Sequence, residues 1–226
     1  MKRWAVVVVA LYILILLVLT GPLMVAAFYP HVNFGDIPEV ATYPQYWVLI
    51  LVMACSQAAL LVVPVSAAGH RPQHRRAIIW PALASGLMMG LLSTGFVASL
   101  YELVRKDKAI DALDSYLGVD FAVLLGFWLI WALAFHRMSR GAEAMDAITR
   151  QCRYLLKGSI LELLVAVPTH IVARYRDYCC AGFLTFLGLA FGLSVMIFSF
   201  GPGVFLLFVG RWKQLHPQLF TPSGKP

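Results

Sequence analysis

The chain has 226 residues, of which 61% are hydrophobic and only 13% are charged, with a net charge of +7 and a mean hydropathy of +0.79. Soluble domains carry roughly 25% charged residues and lack several uninterrupted apolar runs of bilayer-spanning length. An ordinary soluble domain is therefore excluded. The sequence predicts an all-α integral membrane protein, a single polytopic bundle of about six transmembrane helices.

The basic residues lie at the ends of the apolar runs, as the positive-inside rule requires of cytoplasmic loops. Nine of the 18 Lys and Arg residues are placed in this way: Lys2, Arg3, Arg71, Arg75, Arg76, Arg137, Arg140, Arg211 and Lys213. Membrane orientation explains the basic pI, so the lipid bilayer is the expected partner and nucleic acid is not. The pattern predicts a multi-pass protein of the cell membrane, with a bacterial inner membrane favoured and the N-terminus cytoplasmic.

The first predicted half covers residues 1–103 and contains three spans. The first runs from Trp4 to Ala27, with a kink at Gly21-Pro22, and the second from Tyr46 to Ala68. The small residues before Phe28 also fit a signal-peptide cleavage site. We favour a retained helix, because its apolar stretch is longer than the core of a signal peptide.

The third predicted span runs from Ala77 to about Leu103 and carries a small residue at every fourth position. Such a stripe lets two helix backbones approach closely, so we expect this face to pack on a neighbouring helix. The neighbour is another span, a membrane-protein partner or a second copy of the chain. The stripe consists of Ala82, Gly86, Gly90, Thr94 and Ala98.

The segment from Glu102 to Gly118 has mixed charge and predicts a solvated linker with a short surface helix. The second half covers residues 119–210 and begins with a span from Val119 to Phe135, followed by a polar helical stretch from Met138 to Lys157. The sixth predicted span, Cys180 to Val209, carries Gly188 and Gly192 as a close-packing pair and is expected to break at Gly201-Pro202-Gly203. Residues 211–226 form a polar tail.

The fifth segment, Gly158 to Ala173, is ambiguous. It makes about 24 Å of helix, short of a hydrocarbon core of roughly 30 Å, so it either spans or dips into the membrane. Val63-Pro64 and Val167-Pro168 each precede a turn and a Gly-x-x-x-Gly helix. This order allows a three-plus-three inverted repeat, as in many transporters, with coincidence as the alternative.

The densest group of polar residues lies in this fifth segment and the turn after it. At 100° per residue, Ser159, Glu162, Thr169 and His170 fall mostly on one face of a helix, which Arg174 follows. Ionisable side chains at membrane depth turn toward protein or a wet cavity, so these residues are candidates for a proton or cation path with Glu162 and His170 as a relay. The alternative places Glu162 near the membrane interface and His170 at the end of the segment.

Cys179 and Cys180 are adjacent, which allows only a strained disulfide between them. Nearby arginines favour the thiolate form, so the pair is a candidate for soft-metal binding or thiol chemistry. Alternatively, both are small residues at the start of a helix, since no third ligand is spaced nearby. No phosphate-binding glycine loop, H-E-x-x-H motif or haem attachment motif occurs in the sequence.

Three classes of function fit these features. The first is a non-enzymatic accessory or assembly subunit of a membrane complex, bound through the small-residue helix faces. The second is a small-solute or ion transporter that uses the polar site around Glu162 and His170. The third is a membrane thiol-metal protein or enzyme that uses Cys179 and Cys180. The sequence assigns no cofactor.

Overall fold

A computed structural model describes residues 79–104, 117–140, 144–176 and 181–215, with scattered helical positions between residues 7 and 14 and between residues 44 and 60. Only the backbone is described at 117–120, 144–145 and 201–215. The four continuous helices of this part are α1 (Ile79–Val104), α2 (Leu117–Ser139), α3 (Ala144–Arg174) and α4 (Phe183–Leu215). All four are long and apolar enough to cross a membrane.

The described helices confirm the helical class, and their length and apolar composition support a membrane protein. The third, fourth and sixth predicted spans correspond to α1, α2 and α4. The six-helix bundle and the repeat are not confirmed, because most of the first two predicted spans lies outside the described residues. The described positions between Ile50 and Leu60 form a short apolar helix within the second predicted span.

The helix α3 corrects the prediction of a polar stretch followed by a short apolar segment. The two form one continuous helix of 31 residues. Its first half is amphipathic, with Arg150 and Arg153 exposed and Ile148 and Leu155 buried. Pro168 lies inside the helix without ending it. The apolar half is therefore extended at its N-terminal end, and α3 reaches the length of a span.

The helix α4 corrects the predicted break at Gly201-Pro202-Gly203. The helical backbone continues through these three residues to Leu215. A proline in a helix removes one backbone donor, and helices in membranes tolerate this when their surroundings compensate.

Neighbouring helices run in alternating directions, with α1 at the centre. Helix α1 packs against the other three, α3 packs against α4, and α2 barely meets α3. Gly86 and Gly90 of α1 lie against the backbone of Ala132 and Trp128 of α2. A Cβ atom at Gly86 would lie only 2.6 Å from the Ala132 nitrogen, so glycine is what permits this close approach.

Other members of the predicted stripe also lie inside the bundle. Ala82 is buried, and Thr94 Oγ1 donates a hydrogen bond of 3.0 Å to Gly90 O within the same helix. The part of this stripe that holds the two glycines is thus covered by α2 of the same chain. A partner helix could reach Gly86 only by displacing α2.

The apolar core lies where α1 meets α3 and α4, and includes Met88, Leu92, Leu155, Val195 and Phe198. In contrast, α2 and α3 expose large apolar side chains on their outer faces. Exposed apolar surface of this extent is typical of helices whose solvent is lipid. These side chains include Phe121, Leu125, Leu129, Ile130, Leu164 and Ile171.

Candidate functional site

At one end of the bundle, the carboxylate of Glu102 connects α1 to the start of α4. Glu102 is 1% exposed. Its Oε1 accepts a hydrogen bond of 2.5 Å from Gly182 N, and its Oε2 accepts one of 2.7 Å from Thr185 N. A carboxylate at a helix N-terminus satisfies free backbone donors and complements the helix dipole. Glu102 is therefore an N-terminal cap for α4, which corrects its prediction as part of a solvated linker.

Arg176 makes the matching contact at the C-terminus of α1. Its Nη1 donates a hydrogen bond of 2.6 Å to Glu102 O, and its Nη2 donates one of 2.8 Å to Leu103 O. Backbone carbonyls in the last turn of a helix lack helical partners, and a cation there is favoured by the helix dipole. Arg176, which follows α3, thus caps the C-terminus of α1.

The predicted site residue His170 belongs to this same end of the bundle. Its Nδ1 lies 3.1 Å from Gly182 O and 3.0 Å from Thr185 Oγ1, while Thr185 Oγ1 donates to Gly182 O at 3.0 Å. Gly182 has a φ of 90°, a conformation that favours glycine. His170 therefore supports the turn that precedes α4.

The predicted hydroxyl groups of α3 bond to their own helix. Ser159 Oγ donates to Leu155 O at 2.9 Å, and Thr169 Oγ1 donates to Val165 O at 2.8 Å. Arg174 is exposed. The polar face predicted on α3 is thus divided: Ser159, Thr169 and His170 are engaged in local or capping bonds, and the structure does not bring them together around Glu162.

Glu162 itself is buried, with 2% of its surface exposed. Neither carboxyl oxygen has a hydrogen-bond partner among the residues that the structure describes. The same holds for the buried hydroxyl of Ser99 on α1. An unpartnered polar group away from water carries the full cost of its lost hydration, about 1–3 kcal/mol in protein mutational data. Glu162 is therefore the polar group of α3 that the fold leaves unsatisfied.

Glycines from two helices surround this carboxyl. A Cβ atom added to Gly188 on α4 would be adjacent to Ser99 Oγ and would lie 2.6 Å from Glu162 Oε1. At Gly95 on α1 it lies 3.1 Å from the same oxygen, and at Gly192 it lies 3.3 Å from Glu162 Cγ. These five residues are called the Glu162 niche below. Larger side chains at the three glycines would occupy space next to the carboxyl.

The Glu162 niche lies deep in the bundle. At about 1.5 Å per residue, Gly188 and Gly192 follow the capped turn at Gly182 by about 9 and 15 Å along α4. The half-thickness of a typical hydrocarbon core is about 15 Å. The carboxyl thus lies about 9–15 Å along α4 from the capped end of the bundle, a distance comparable to that half-thickness.

An apolar groove of about 340 Å³ reaches Glu162 from the side where α2 and α3 separate. Its lining is almost wholly apolar, and Trp131 Nε1 donates a hydrogen bond of 2.9 Å to Ser93 Oγ within it. The groove gives a small molecule access to the helix face that carries Glu162. Its lining includes Met89, Phe96, Phe127, Trp131, Leu161 and Glu162.

The remaining candidate site is the predicted thiol-metal pair. Cys179 and Cys180 fall outside the described residues. Within the described part of the chain, no group of three or more His, Cys, Asp or Glu side chains converges as a metal site. Of the two cysteines that are described, Cys152 is buried and Cys55 is exposed, and both are free thiols.

Comparisons with known proteins supplement this geometry with one finding: no family model, no curated protein and no solved structure matches the chain. The candidate site is therefore described from the geometry of this chain alone.

The sequence did not predict several residues of the capped end of the bundle and of the Glu162 niche, among them Ser99, Gly95 and Thr185. Glu102 did carry a signal, because it is the next position of the four-residue stripe that ends at Ala98. A carboxyl that continues a helix-packing stripe faces protein, as ionisable groups at the end of a span commonly do.

Proposed function

We propose that this chain is an ion transporter of the membrane in which the carboxyl of Glu162 binds and releases the transported or coupling ion. The observation that carries the proposal is the burial of this carboxyl, near the middle of the bundle, without a hydrogen-bond partner among the described residues. Ionisable groups at this depth are uncommon, and they mark ion paths and proton relays.

The free energy of burial supports a functional role over a packing role. A carboxyl at the centre of a membrane helix costs about 2.5 kcal/mol or more, while an apolar side chain of similar volume costs nothing of this kind. Glu102 shows how this fold satisfies a buried carboxylate when the role is structural, through two backbone N–H groups. Among the residues that the structure describes, Glu162 has no such arrangement, and an ion bound there would supply the missing interaction.

The groove between α2 and α3 supports a route to the site. Glu162 is part of its lining, while the carboxyl oxygens point into the niche formed with α1 and α4. In this proposal His170 acts indirectly, by holding the turn before α4, and the predicted relay between His170 and Glu162 is not part of the mechanism.

We further propose the finer architecture that the charge pattern predicts: six spans with the N-terminus cytoplasmic, in a bacterial inner membrane, and opposite orientation of the two halves. An accessory or assembly role would need a face for its partner. The sequence suggested the glycine face at Gly86 and Gly90 as such a partner-binding face. This face is covered by α2. Transport is for this reason the preferred function.

Flux through reconstituted protein tests the proposal. Full-length protein in liposomes, loaded with a pH-sensitive or a sodium-sensitive dye, is exposed to an imposed membrane potential in sodium or choline salts. We expect protein-dependent movement of protons or sodium that is lost in Glu162→Gln, which keeps the shape of the side chain and removes its ionisation. Wild-type protein with no flux above that of empty liposomes, or a Glu162→Gln variant with full flux, would contradict the proposal.

A further inference from the structure

We propose that the Glu162 niche binds one monovalent cation of about the size of sodium, held by the Glu162 carboxylate, the Ser99 hydroxyl and the Gly95 carbonyl. This inference rests on the proposed function and names its ion. Two of the three ligand groups are buried side chains without hydrogen-bond partners among the described residues, and both are directed at the same space beside Gly188.

The three oxygens lie close to one another on one side of Gly188. Measured from the position of a Cβ atom at Gly188, Glu162 Oε1 lies at 2.6 Å, Gly95 O lies at 3.1 Å, and Ser99 Oγ is closer than either. No two of them are therefore more than about 6 Å apart. Hard cations take oxygen ligands at about 2.3–2.6 Å, so one ion bridges ligands separated by about 5 Å. A small movement of the side chains brings all three within coordination distance.

The type of ligand favours a hard cation. A carboxylate, a hydroxyl and a backbone carbonyl are the oxygen ligands that alkali and alkaline-earth ions take in proteins, and carbonyls in membrane helices coordinate sodium in several transporters. Soft metals prefer thiolate and imidazole ligands. Within the described residues, no cluster of such ligands is found.

The charge of the niche favours a single positive charge. Among the contacts that the described residues make around the carboxyl, those from α1 come from Gly95 and Ser99, and those from α4 come from Gly188, Phe191 and Gly192. None of them carries a charge. One ionised carboxylate with one monovalent cation is neutral, while a divalent ion would leave a net charge deep in the bundle at a cost of several kcal/mol.

A proton is the competing occupant of the same carboxyl. A protonated carboxyl would donate its O–H to an acceptor such as Gly95 O and accept from the Ser99 hydroxyl. A cation would instead be bound by all three oxygens as acceptors, and the labelling experiment below separates these two occupants. Gly188 is essential in this arrangement, because a methyl group there would lie among the three oxygens.

Labelling with dicyclohexylcarbodiimide, an apolar reagent that modifies protonated carboxyls in membranes, tests this inference. Full-length protein in detergent is labelled at one fixed pH in choline chloride or in sodium chloride of equal concentration, and the Glu162 peptide is quantified by mass spectrometry. We expect labelling of Glu162 in choline, with the rate reduced about tenfold or more once sodium exceeds ten times its dissociation constant. Glu102 is an internal reference that stays unlabelled, since its carboxylate is bound by two N–H groups.

Two variants of the niche sharpen the test. Ser99→Ala removes one ligand, and Gly188→Ala fills the space between the ligands; in both, we expect Glu162 to be labelled equally in sodium and choline. Ser194→Ala is the matched control. Ser194 is also a buried hydroxyl without a partner among the described residues, but it is about 120° around α4 from Gly188. Sodium protection is expected to persist in this variant.

The outcomes separate the inference from the function on which it rests. Glu162 labelled at the same rate in sodium and choline in wild-type protein would overturn the cation site and leave proton transport as the function. Protection that survives unchanged in both Ser99→Ala and Gly188→Ala would overturn the proposed ligand set. No labelling of Glu162 in either salt would overturn the proposed function together with this inference.

Discussion

Glu162 Oε1 lies 2.6 Å from the position that a Cβ atom would occupy at Gly188. The Gly-x-x-x-Gly pair of α4 therefore does more than bring two helices close together. It leaves room for a carboxyl group of α3 between α1 and α4. The absence of a side chain on one helix determines where the ionisable group of another can be placed, and this relationship carries the proposed function.

The same substitution should reduce stability at one of the two buried glutamates, Glu102, and leave it almost unchanged at the other, Glu162. Glu102→Gln replaces an oxygen acceptor with an amide nitrogen, so one of the backbone donors at Gly182 and Thr185 loses its partner. We expect a loss of about 1–3 kcal/mol in unfolding free energy. Glu162→Gln removes no hydrogen bond and should change stability by less than about 1 kcal/mol. Thermal unfolding in detergent, followed by circular dichroism, measures both; equal losses would show that Glu162 has a structural partner.

The glycine contact between α1 and α2 predicts a clear effect of one methyl group. Gly86→Ala places a Cβ atom 2.6 Å from the Ala132 nitrogen and 2.7 Å from its Cα, which the backbone of α2 can relieve only by moving away. We expect a destabilisation of about 1–3 kcal/mol. The control is Gly126→Ala on α2, where a Cβ atom meets nothing within 4 Å.

For this control, stability should be unchanged or raised by up to about 1 kcal/mol, because alanine is the better helix former. Unfolding temperatures of the two variants, measured side by side, decide the point. A Gly86→Ala variant as stable as Gly126→Ala would refute the close packing of α1 on α2.

Arg176 should contribute to stability through the end of α1. Arg176→Ala removes the two hydrogen bonds to Glu102 O and Leu103 O. Partial exposure of this group limits the expected loss to about 1–2 kcal/mol. Arg153→Ala, at an exposed arginine of α3, is the control with no expected change. Protease sensitivity of the end of α1 gives a second readout, and identical digestion of both variants would argue against the cap.

A polar network at the opposite end offers a fourth test. Gln151 is buried, its Oε1 accepts from Ser85 Oγ at 3.0 Å, and its Nε2 donates to Ser139 Oγ at 3.0 Å. Gln151→Leu leaves the Ser85 hydroxyl unpaired and should cost about 1–3 kcal/mol. Adding Ser85→Ala should recover part of that loss, since the unpaired hydroxyl is then removed. Strictly additive losses in the double variant would mean that the two side chains do not interact.

Much of the helical architecture follows from the sequence, because a run of apolar residues has few alternatives in a membrane. The limits of α1 and α2 agree with prediction to within a few residues. The prediction failed at α3, where the polar stretch from Met138 to Lys157 was separated from an apolar segment beginning at Gly158. Charged residues do not end a helix when they share one exposed face, and the buried face from Ile148 to Leu155 continues without interruption.

Only part of the candidate site could be predicted from the sequence. The inward direction of Glu162 follows from the cost of exposing a carboxyl to lipid. Its neighbours do not follow, because contact between Ser99, Glu162 and Gly188 depends on the rotation and crossing of three helices. Periodicity identifies a face on each helix and leaves the pairing of faces open. His170 was grouped with Glu162 for the same reason, although its ring bonds to the turn before α4.

Flux and folding of Glu162→Gln, measured on the same preparation, test the central claim most directly. We predict that the variant unfolds at or above the wild-type temperature while its ion flux in liposomes falls to the level of empty vesicles. A variant that folds like the wild type and retains its flux would contradict the claim that the Glu162 carboxyl binds the ion.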